Sequence, residues 1–294
     1  MTKRELTVEQ GYENLSTRVA SDVRSLEAIK VEPGSPVSDE NAFLAPIYRP
    51  FALCTKQPLG SALDHLELVA ETLKSKGEPH SFAEATLIRT AITAASYALW
   101  MLSDDADERR YHALQFAFKD YDGWSSYVRT EGQNPETPDP ARYAADAAEA
   151  IAEFDRRRDW IVTQANVLTG ESWTVRQFRD RLPSDTAVVE QAGTRVLSPW
   201  RFLSGYAHGL PWATVGNQVP LSDPDPETGA ITVSQRGNPE QLLDASFYTI
   251  AVIERATAAF RRLSRAEAPV EPPGQTPNYF DLKKSGRVQP FEGR

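Results

Sequence analysis

The chain has 294 residues, 40 % of them hydrophobic, and its 32 Lys and Arg against 41 Asp and Glu give a formal net charge of −9. This composition is sufficient for a folded core, and the acidic balance argues against a basic nucleic-acid coat and a polybasic membrane binder. The single cysteine, Cys54, excludes an internal disulfide framework and is compatible with a reducing compartment. The first ten residues contain no apolar signal core, so the sequence predicts a cytoplasmic protein.

The N-terminal region contains one amphipathic segment followed by a linker. Apolar side chains recur there at three- and four-residue spacing, which predicts a helix that docks on a neighbour: Leu15, Val19, Val23, Leu26 and Ile29. We therefore predict an N-terminal helix and linker over residues 1–40 and a helical domain over 41–266. Residues 267–294, rich in Pro, Gly and charge, are predicted to be a flexible C-terminal tail.

The most apolar stretch of the chain covers residues 85–103, in which Arg89 is the only charge. Ser81 and Glu84 have the spacing of a capping box and predict that a helix starts at Ser81. The stretch is rich in Ala, Thr and Ser, so we interpret it as the central helix of a soluble bundle, with a membrane span as the alternative.

Two further long helices are predicted from their terminal residues. One follows Asp139-Pro140 and ends before Gly170, and the other follows Asn238-Pro239. Residues 230–235 are the one clear strand pattern, with residues 214–219 as a possible hairpin partner. The predicted fold class is an all-α bundle with a small β-hairpin excursion.

Residues 198–211 concentrate the side chains that could carry out chemistry. Ser198 and Pro199 predict a helix start, and Gly209 with Pro211 predicts its end. Four residues at i, i+3, i+4 and i+7 then share one helix face: Arg201, Ser204, Gly205 and His208. Gly205 is expected to leave room for a ligand or another backbone.

Arg201 and His208 together are suited to phosphodiester chemistry without a metal. The guanidinium would hold the phosphate, and the imidazole would move a proton. In RNA the 2′-hydroxyl is a built-in nucleophile, so the protein need only position and deprotonate it. No Asp or Glu occurs from Gln191 to Ser222, which predicts a less negative local potential than the chain average. The alternative is structural: Arg201 pairs with a carboxylate of another helix, and His208 with a terminal carbonyl.

The spacing of Arg201 and His208, within an all-α chain and near its C-terminal end, resembles the Arg-x(4 to 6)-His motif of the HEPN superfamily. The segments at 86–102, 108–110 and 200–209 also resemble actinobacterial HEPN-like proteins. The resemblance covers roughly residues 41–265 and implies a HEPN helical bundle, commonly a homodimer in which two motifs share one cleft.

Catalytically competent HEPN proteins are metal-independent endoribonucleases of toxin and phage-defence systems, so the resemblance implies that function, with Arg201 and His208 as the catalytic pair and no cofactor. The alternative is a non-catalytic HEPN-like module that binds nucleotide, RNA or a protein partner. The sequence departs from the family pattern at two positions. Leu210 stands where some toxin members have Tyr, and Thr93 where related sequences often have an acidic residue. The expected partners are RNA or nucleotide, a second copy of the chain and an antitoxin or other protein, but no membrane.

Arg89 and Ser204 are further candidates for substrate binding. Arg89 would either form an ion pair with a carboxylate of the bundle or make a second phosphate contact. Ser204 would position the substrate or bond its own helix backbone. Trp200 and Trp212 flank the motif, where they would stack on bases or anchor the core.

Two charge runs allow other interpretations. Residues 104–108 have the outline of the DDxxD/E magnesium motif of all-α isoprenoid synthases, although the second motif expected over 100 residues later is missing. We interpret the run instead as the solvated acidic start of a helix. The run Arg156 to Arg158, interrupted by acidic neighbours, is interpreted as a solvated helix face.

Overall fold

The protein is all-α with one small antiparallel hairpin, as the sequence predicts. The computed structural model describes residues 7–76, 79–235 and 237–266, and the predicted tail at 267–294 lies outside these ranges. The described α-helices are α1 (Val8–Glu27), α2 (Pro36–Phe43), α3 (Phe51–Lys76), α4 (Ala83–Met101), α5 (Ala106–Gly132), α6 (Pro140–Thr169), α7 (Val175–Arg179), α8 (Asp185–Ala192), α9 (Thr194–Ala207), α10 (Pro211–Thr214) and α11 (Pro239–Leu263). Short 3-10 turns occupy Ala45–Ile47 and Val215–Asn217, and the strands are β1 (Gln218–Pro220) and β2 (Val233–Gln235).

The chain divides into two compact units, each built from several stretches of sequence. The first contains the described residues up to Lys30, then Thr55–Trp100 and Ser184–Arg261. The second contains Val31–Cys54, Met101–Pro183 and the described residues from Arg262. The sequence-based division at residues 40/41 and 266/267 is a different partition and stays a prediction.

In the first unit, α1 packs closely against α11. A Cβ atom on Gly11 would lie 2.3 Å from Leu243 Cδ2, so the absence of a side chain at Gly11 allows this approach. The Tyr12 hydroxyl donates to the Pro239 carbonyl at 2.7 Å, and Arg18 pairs with Glu254 at 2.8 Å. The predicted N-terminal helix is therefore present, and it docks on a neighbour.

The core of the first unit includes apolar side chains from α1, α3, α4, α8 and α11. The members that lie fully inside include Leu15, Leu66, Ile88, Ile92, Val189, Ile250, Ile253 and Phe260. Tyr97 on α4 donates to the Asp185 carboxylate on α8 at 2.9 Å, and Arg255 on α11 donates to the Ala192 carbonyl at 2.8 Å. These bonds attach α8, and with it the start of α9, to the other helices of the unit.

In the second unit, α5 packs along α6, and a buried ion pair ties α2 to α5. Arg109 contacts Glu40 at 2.8 Å, and both side chains are almost completely removed from solvent. Arg110 contacts the other oxygen of the same carboxylate at 2.7 Å. Both oxygens of Glu40 thus receive a charge-assisted hydrogen bond, which offsets the cost of burying the charge.

The interpretation of Arg156 to Arg158 as a solvated face is wrong for Arg158. This side chain is 9 % exposed and forms ion pairs with Asp122 and Asp155. Arg157 is also largely covered, and it donates to the Tyr121 hydroxyl at 3.0 Å. Asp155 lies on α6 at a spacing that sequence can reveal, whereas Asp122 lies on α5 and could not be identified from the spacing along α6.

Most of the predicted element ends are confirmed. The Asp139 side chain caps α6, which ends at Gly170 with φ 70°, and Asn238 Oδ1 accepts from the backbone N–H groups of Glu240 and Gln241 at the start of α11. Helix α4 begins at Ala83 rather than at Ser81. The hairpin is present but short, with Val219 of β1 opposite Ser234 of β2.

The predicted central helix, α4, carries half-buried polar side chains such as Arg89 and Thr93. Within the described ranges, none of the helices combines the length and the hydropathy that a membrane crossing requires.

Candidate functional site

Helix α9 carries the candidate site, and it begins earlier than Ser198 and Pro199 predict. Gly193, with φ 129°, forms the corner between α8 and α9, and the helix starts at Thr194. Pro199 therefore lies inside the helix, where it removes one backbone hydrogen bond. Val196, which is buried, holds the extra first turn in place, so tertiary packing overrides the local start signal.

The end of α9 follows the prediction and has the geometry of a Schellman motif. His208 is the C-cap residue, and Gly209 takes the left-handed conformation with φ 63°. The Gly209 N–H donates to the Tyr206 carbonyl at 2.9 Å and the Leu210 N–H to the Gly205 carbonyl at 2.8 Å. This turn reverses the chain, so that α10 packs back against α9.

Arg201 and His208 are both exposed on α9. Seven residues of helix correspond to about 10 Å along the axis and about two turns, so both side chains leave the helix on the same side. Within the described part of the chain, neither side chain forms a hydrogen bond or an ion pair. The structural alternative, in which Arg201 pairs with a carboxylate and His208 with a carbonyl, is therefore not what the described residues show.

Arg89 and Ser204 meet in a polar network between α4 and α9. Arg89 Nε donates to Ser204 Oγ at 3.0 Å, and Ser204 Oγ donates to the Trp200 carbonyl at 2.8 Å. The Trp200 indole N–H donates to Thr93 Oγ1 at 2.8 Å, and the Arg89 guanidinium lies 5.2 Å from the centroid of the Trp200 ring. Thr93 in turn donates to the Arg89 carbonyl at 3.0 Å, which closes the network.

This network corrects the expectation of an ion pair for Arg89. Its partners are a hydroxyl and an aromatic ring, and no carboxylate among the described residues pairs with it. Arg89 and Ser204 are in contact, which the sequence did not predict, and Ser204 bonds its own helix backbone as well as Arg89. Thr93, the departure from the family pattern, links α4 to Trp200. The part of Arg89 and Ser204 in substrate binding stays a prediction.

The space beside Gly205 is occupied by another element of the chain, the second of the two predicted uses, and not by room for a ligand. A Cβ atom on Gly205 would lie 2.6 Å from Trp212 Cζ2 and 2.8 Å from Ala213 Cβ. The missing side chain thus allows α10 to pack against α9. Trp212 is brought to the middle of the helix face that carries Arg201 and His208.

A second group of polar residues lies on the other side of α9, and the sequence analysis did not identify it. A shallow cleft is lined there by Phe202, Tyr206, Asn238 and Gln241 together with His80. His80 Nδ1 lies 2.6 Å from Oε1 of Glu84, whose side chain is 2 % exposed. The i, i+4 spacing of His80 and Glu84 could have indicated this pair. The cavity volume is about 10 Å³, room for one water molecule and too small for a nucleotide.

The acidic run at 104–108 is explained by capping and pairing. Asp105 accepts from the Glu108 N–H at the start of α5 at 2.8 Å, Asp104 pairs with Arg262, and Glu108 accepts from Ser103. In the described ranges, no group of three or more His, Cys, Asp or Glu side chains is arranged to hold a metal ion. These contacts favour the acidic helix start over the diphosphate-metal motif.

No family model, no curated protein and no solved structure matches this chain. The site is therefore characterised by its own geometry: an exposed guanidinium and an exposed imidazole share one helix face, and the Trp212 indole packs over Gly205 on that face. This arrangement can bind an anionic group and move a proton beside it.

Proposed function

We propose that the protein is a metal-independent endoribonuclease that uses the exposed face of α9. The observation that supports this most is that Arg201 and His208 share that face, with no carboxylate partner in the described part of the chain. The resemblance of the Arg-x6-His spacing to the HEPN motif supports the same function. A toxin or phage-defence effector is the setting that we propose for it.

In the proposed reaction Arg201 holds the scissile phosphate and stabilises the charge that develops on its oxygens. The 2′-oxygen of the RNA attacks phosphorus, and the bond from phosphorus to the 5′-oxygen breaks. The products are a 2′,3′-cyclic phosphate and a 5′-hydroxyl. His208 acts either as general base, taking the 2′-hydroxyl proton while water protonates the leaving 5′-oxygen, or as general acid, protonating the 5′-oxygen while water takes the 2′-hydroxyl proton.

Cleavage of single-stranded RNA by the purified chain in the presence of EDTA tests this proposal. We expect His208→Ala to lower the rate by about 10²- to 10⁴-fold and Arg201→Ala by about 10²-fold. An oligonucleotide with 2′-deoxy sugars should not be cleaved, because the attacking hydroxyl is missing.

Two matched variants control for charge and for the loss of a histidine. Arg195 is exposed on the same helix but is about 120° around the axis from Arg201, so Arg195→Ala should leave the rate unchanged. His65 contacts its own helix carbonyl at Ser61 through Nδ1, at 2.6 Å, and His65→Ala should also be neutral. Equal cleavage by wild type and His208→Ala, or cleavage abolished by EDTA, would contradict the mechanism.

A second candidate is a binding module that does not cleave RNA and uses the same face. It is favoured by Leu210, an exposed apolar residue at the position where some HEPN toxins have a Tyr. Growth after induction of wild type and His208→Ala separates the two. Toxicity that disappears only in the variant supports the enzyme, and equal growth supports the binding module.

A further inference from the structure

Trp212 lies against the helix face that carries Arg201 and His208, and it remains 55 % exposed. Its ring occupies the position above Gly205, which is four residues after Arg201 and three before His208. Residues at these spacings are neighbours on a helix surface. The indole therefore covers Gly205, on the helix face that Arg201 and His208 share.

Local structure holds this indole in a defined position. The Schellman turn at Gly209 directs α10 back onto α9, and the Ala213 N–H donates to the Leu210 carbonyl at 3.1 Å. Phe202 packs edge-to-face against the Trp212 ring, with 6.4 Å between the centroids. The ring thus contacts Gly205 and Phe202, and the residue as a whole keeps 55 % of its surface exposed.

The other tryptophan of this segment has a different environment. Trp200 is buried, its N–H donates to Thr93, and the Arg89 guanidinium covers its ring. Trp200 is therefore a core anchor, and Trp212, on α10, is the tryptophan of this segment that is exposed to a ligand. An exposed indole on the same helix face as a guanidinium is suited to bind an unpaired base whose phosphate the guanidinium holds.

We propose that Trp212 is a stacking platform for an unpaired base of RNA, and that the substrate is single-stranded. This inference rests on the proposed function, because Arg201 must hold the phosphate next to the stacked base. A base inside a duplex is already stacked on its neighbours and cannot lie on an indole without leaving the helix. An unpaired base of single-stranded RNA does not have to leave a duplex before it stacks on the indole. Every base has a flat aromatic face, so this stacking tolerates any base.

Binding is measured by fluorescence anisotropy with labelled 2′-O-methyl oligonucleotides, which lack the free 2′-hydroxyl and stay intact. The wild-type chain is expected to bind the single strand more tightly than a duplex of the same sequence. Trp212→Ala should weaken single-strand binding by about 10- to 100-fold, and Trp212→Phe, which keeps an aromatic face, by much less.

Two variants control for the loss of an exposed apolar side chain. Trp124 in the second unit is 42 % exposed, and Val215 next to α10 is 68 % exposed. Trp124→Ala and Val215→Ala should both bind RNA as the wild type does. Thermal unfolding followed by circular dichroism shows whether Trp212→Ala is folded, and Trp212→Phe tests the platform if it is not.

Unchanged affinity in a folded Trp212→Ala, equal affinity for the duplex, or no RNA binding by wild type would each overturn the inference. So would a dimer, seen by sedimentation, that Trp212→Ala dissociates without a change in RNA affinity, since a second copy would then occupy the ring. Cleavage that requires His208 but not Trp212 leaves the proposed function intact and removes only the inference. RNA binding that requires Trp212 without any cleavage supports the stacking platform and contradicts the proposed cleavage.

Discussion

At the scale of single residues, Asp22 on α1 has a carboxyl group in an unfavourable environment for its charge. Its Oδ2 atom is buried and has no hydrogen-bond partner among the described residues. Burial raises the pKa of Asp22 to about 6, Glu254 raises it as well, and Arg18 opposes both. The folded-state pKa is therefore above the ordinary value of 3.8.

This shift predicts that Asp22→Asn stabilises the protein at neutral pH. The stability that comes from protonated Asp22 is present below about pH 4 and is lost as the pH rises through about 6. After allowance for solvent screening at this half-exposed site, Asp22→Asn should raise the free energy of unfolding by about 1 kcal/mol at neutral pH and by little at pH 4. Urea unfolding at the two pH values measures this difference.

Glu13→Gln is the control, because Glu13 is an exposed acid on the same helix. Glu13→Gln should not raise the free energy of unfolding at neutral pH relative to pH 4. If Asp22→Asn changed the stability equally at both pH values, the interpretation of a raised pKa would be wrong.

The shared face of Arg201 and His208 follows from their spacing, so the sequence was sufficient to predict it. The partners of Arg89 and Ser204 could not be predicted, because they are on helices that meet only in the folded chain. The same reason explains the missed difference between Trp200 and Trp212. Both flank the motif, and only tertiary packing decides which of them is buried.

At the scale of elements, the contact between α9 and α10 depends on Gly205. Gly205→Ala adds a Cβ atom that would lie 2.6 Å from the Trp212 ring and 2.8 Å from Ala213 Cβ. We expect the free-energy cost of this overpacking to be larger than the gain from the higher helix propensity of Ala. The substitution should therefore lower the free energy of unfolding by about 1 to 3 kcal/mol. Chemical unfolding measures this loss.

Gly60→Ala provides a matched comparison of opposite sign. Gly60 lies inside α3, and no atom is within 4 Å of the position that its Cβ would take. Without a steric cost, the substitution should raise the free energy of unfolding by about 0.5 to 1 kcal/mol. Equal effects of the two substitutions would show that Gly205 is not a packing contact.

Helix ends were predicted well where a cap and a proline act together in the chain, as at Asp139-Pro140 and Asn238-Pro239. The same pattern at Ser198-Pro199 was misleading. There the preceding turn is held by burial of Val196 and by the corner at Gly193. A local signal determines a helix end only where no neighbouring element stabilises the residues before it.

At the scale of the whole molecule, the two compact units each combine segments that are far apart in sequence. Loops rich in Pro and Gly indicate where elements end, but they do not indicate which elements meet. A linear division of the chain therefore could not reproduce the two units. The fold class was predictable because helical periodicity is a local property.

The net charge of −9 and the acid-free segment 191–222 together predict a weak salt dependence of RNA binding. Each phosphate neutralised on a single strand contributes about −0.7 to the slope of log K against log salt. With one or two contacts, we expect a slope between about −0.7 and −1.4. Anisotropy titrations at several salt concentrations measure it.

Arg201→Ala should make this slope shallower by about 0.7, because one phosphate contact is lost. Arg195→Ala should leave the slope unchanged. A steep slope in the wild type would indicate a broad basic surface, which the composition of this chain argues against.

The Schellman turn at Gly209 and the continuous helix before it make the site depend on residue count as well as on residue type. One residue inserted between Arg201 and His208 would rotate the imidazole by about 100° around the axis, away from the guanidinium. It would also change the register of Gly205 against Trp212. Single-residue insertions and deletions between Arg201 and His208 would therefore place the two side chains on different sides of α9, even though both side chains are retained.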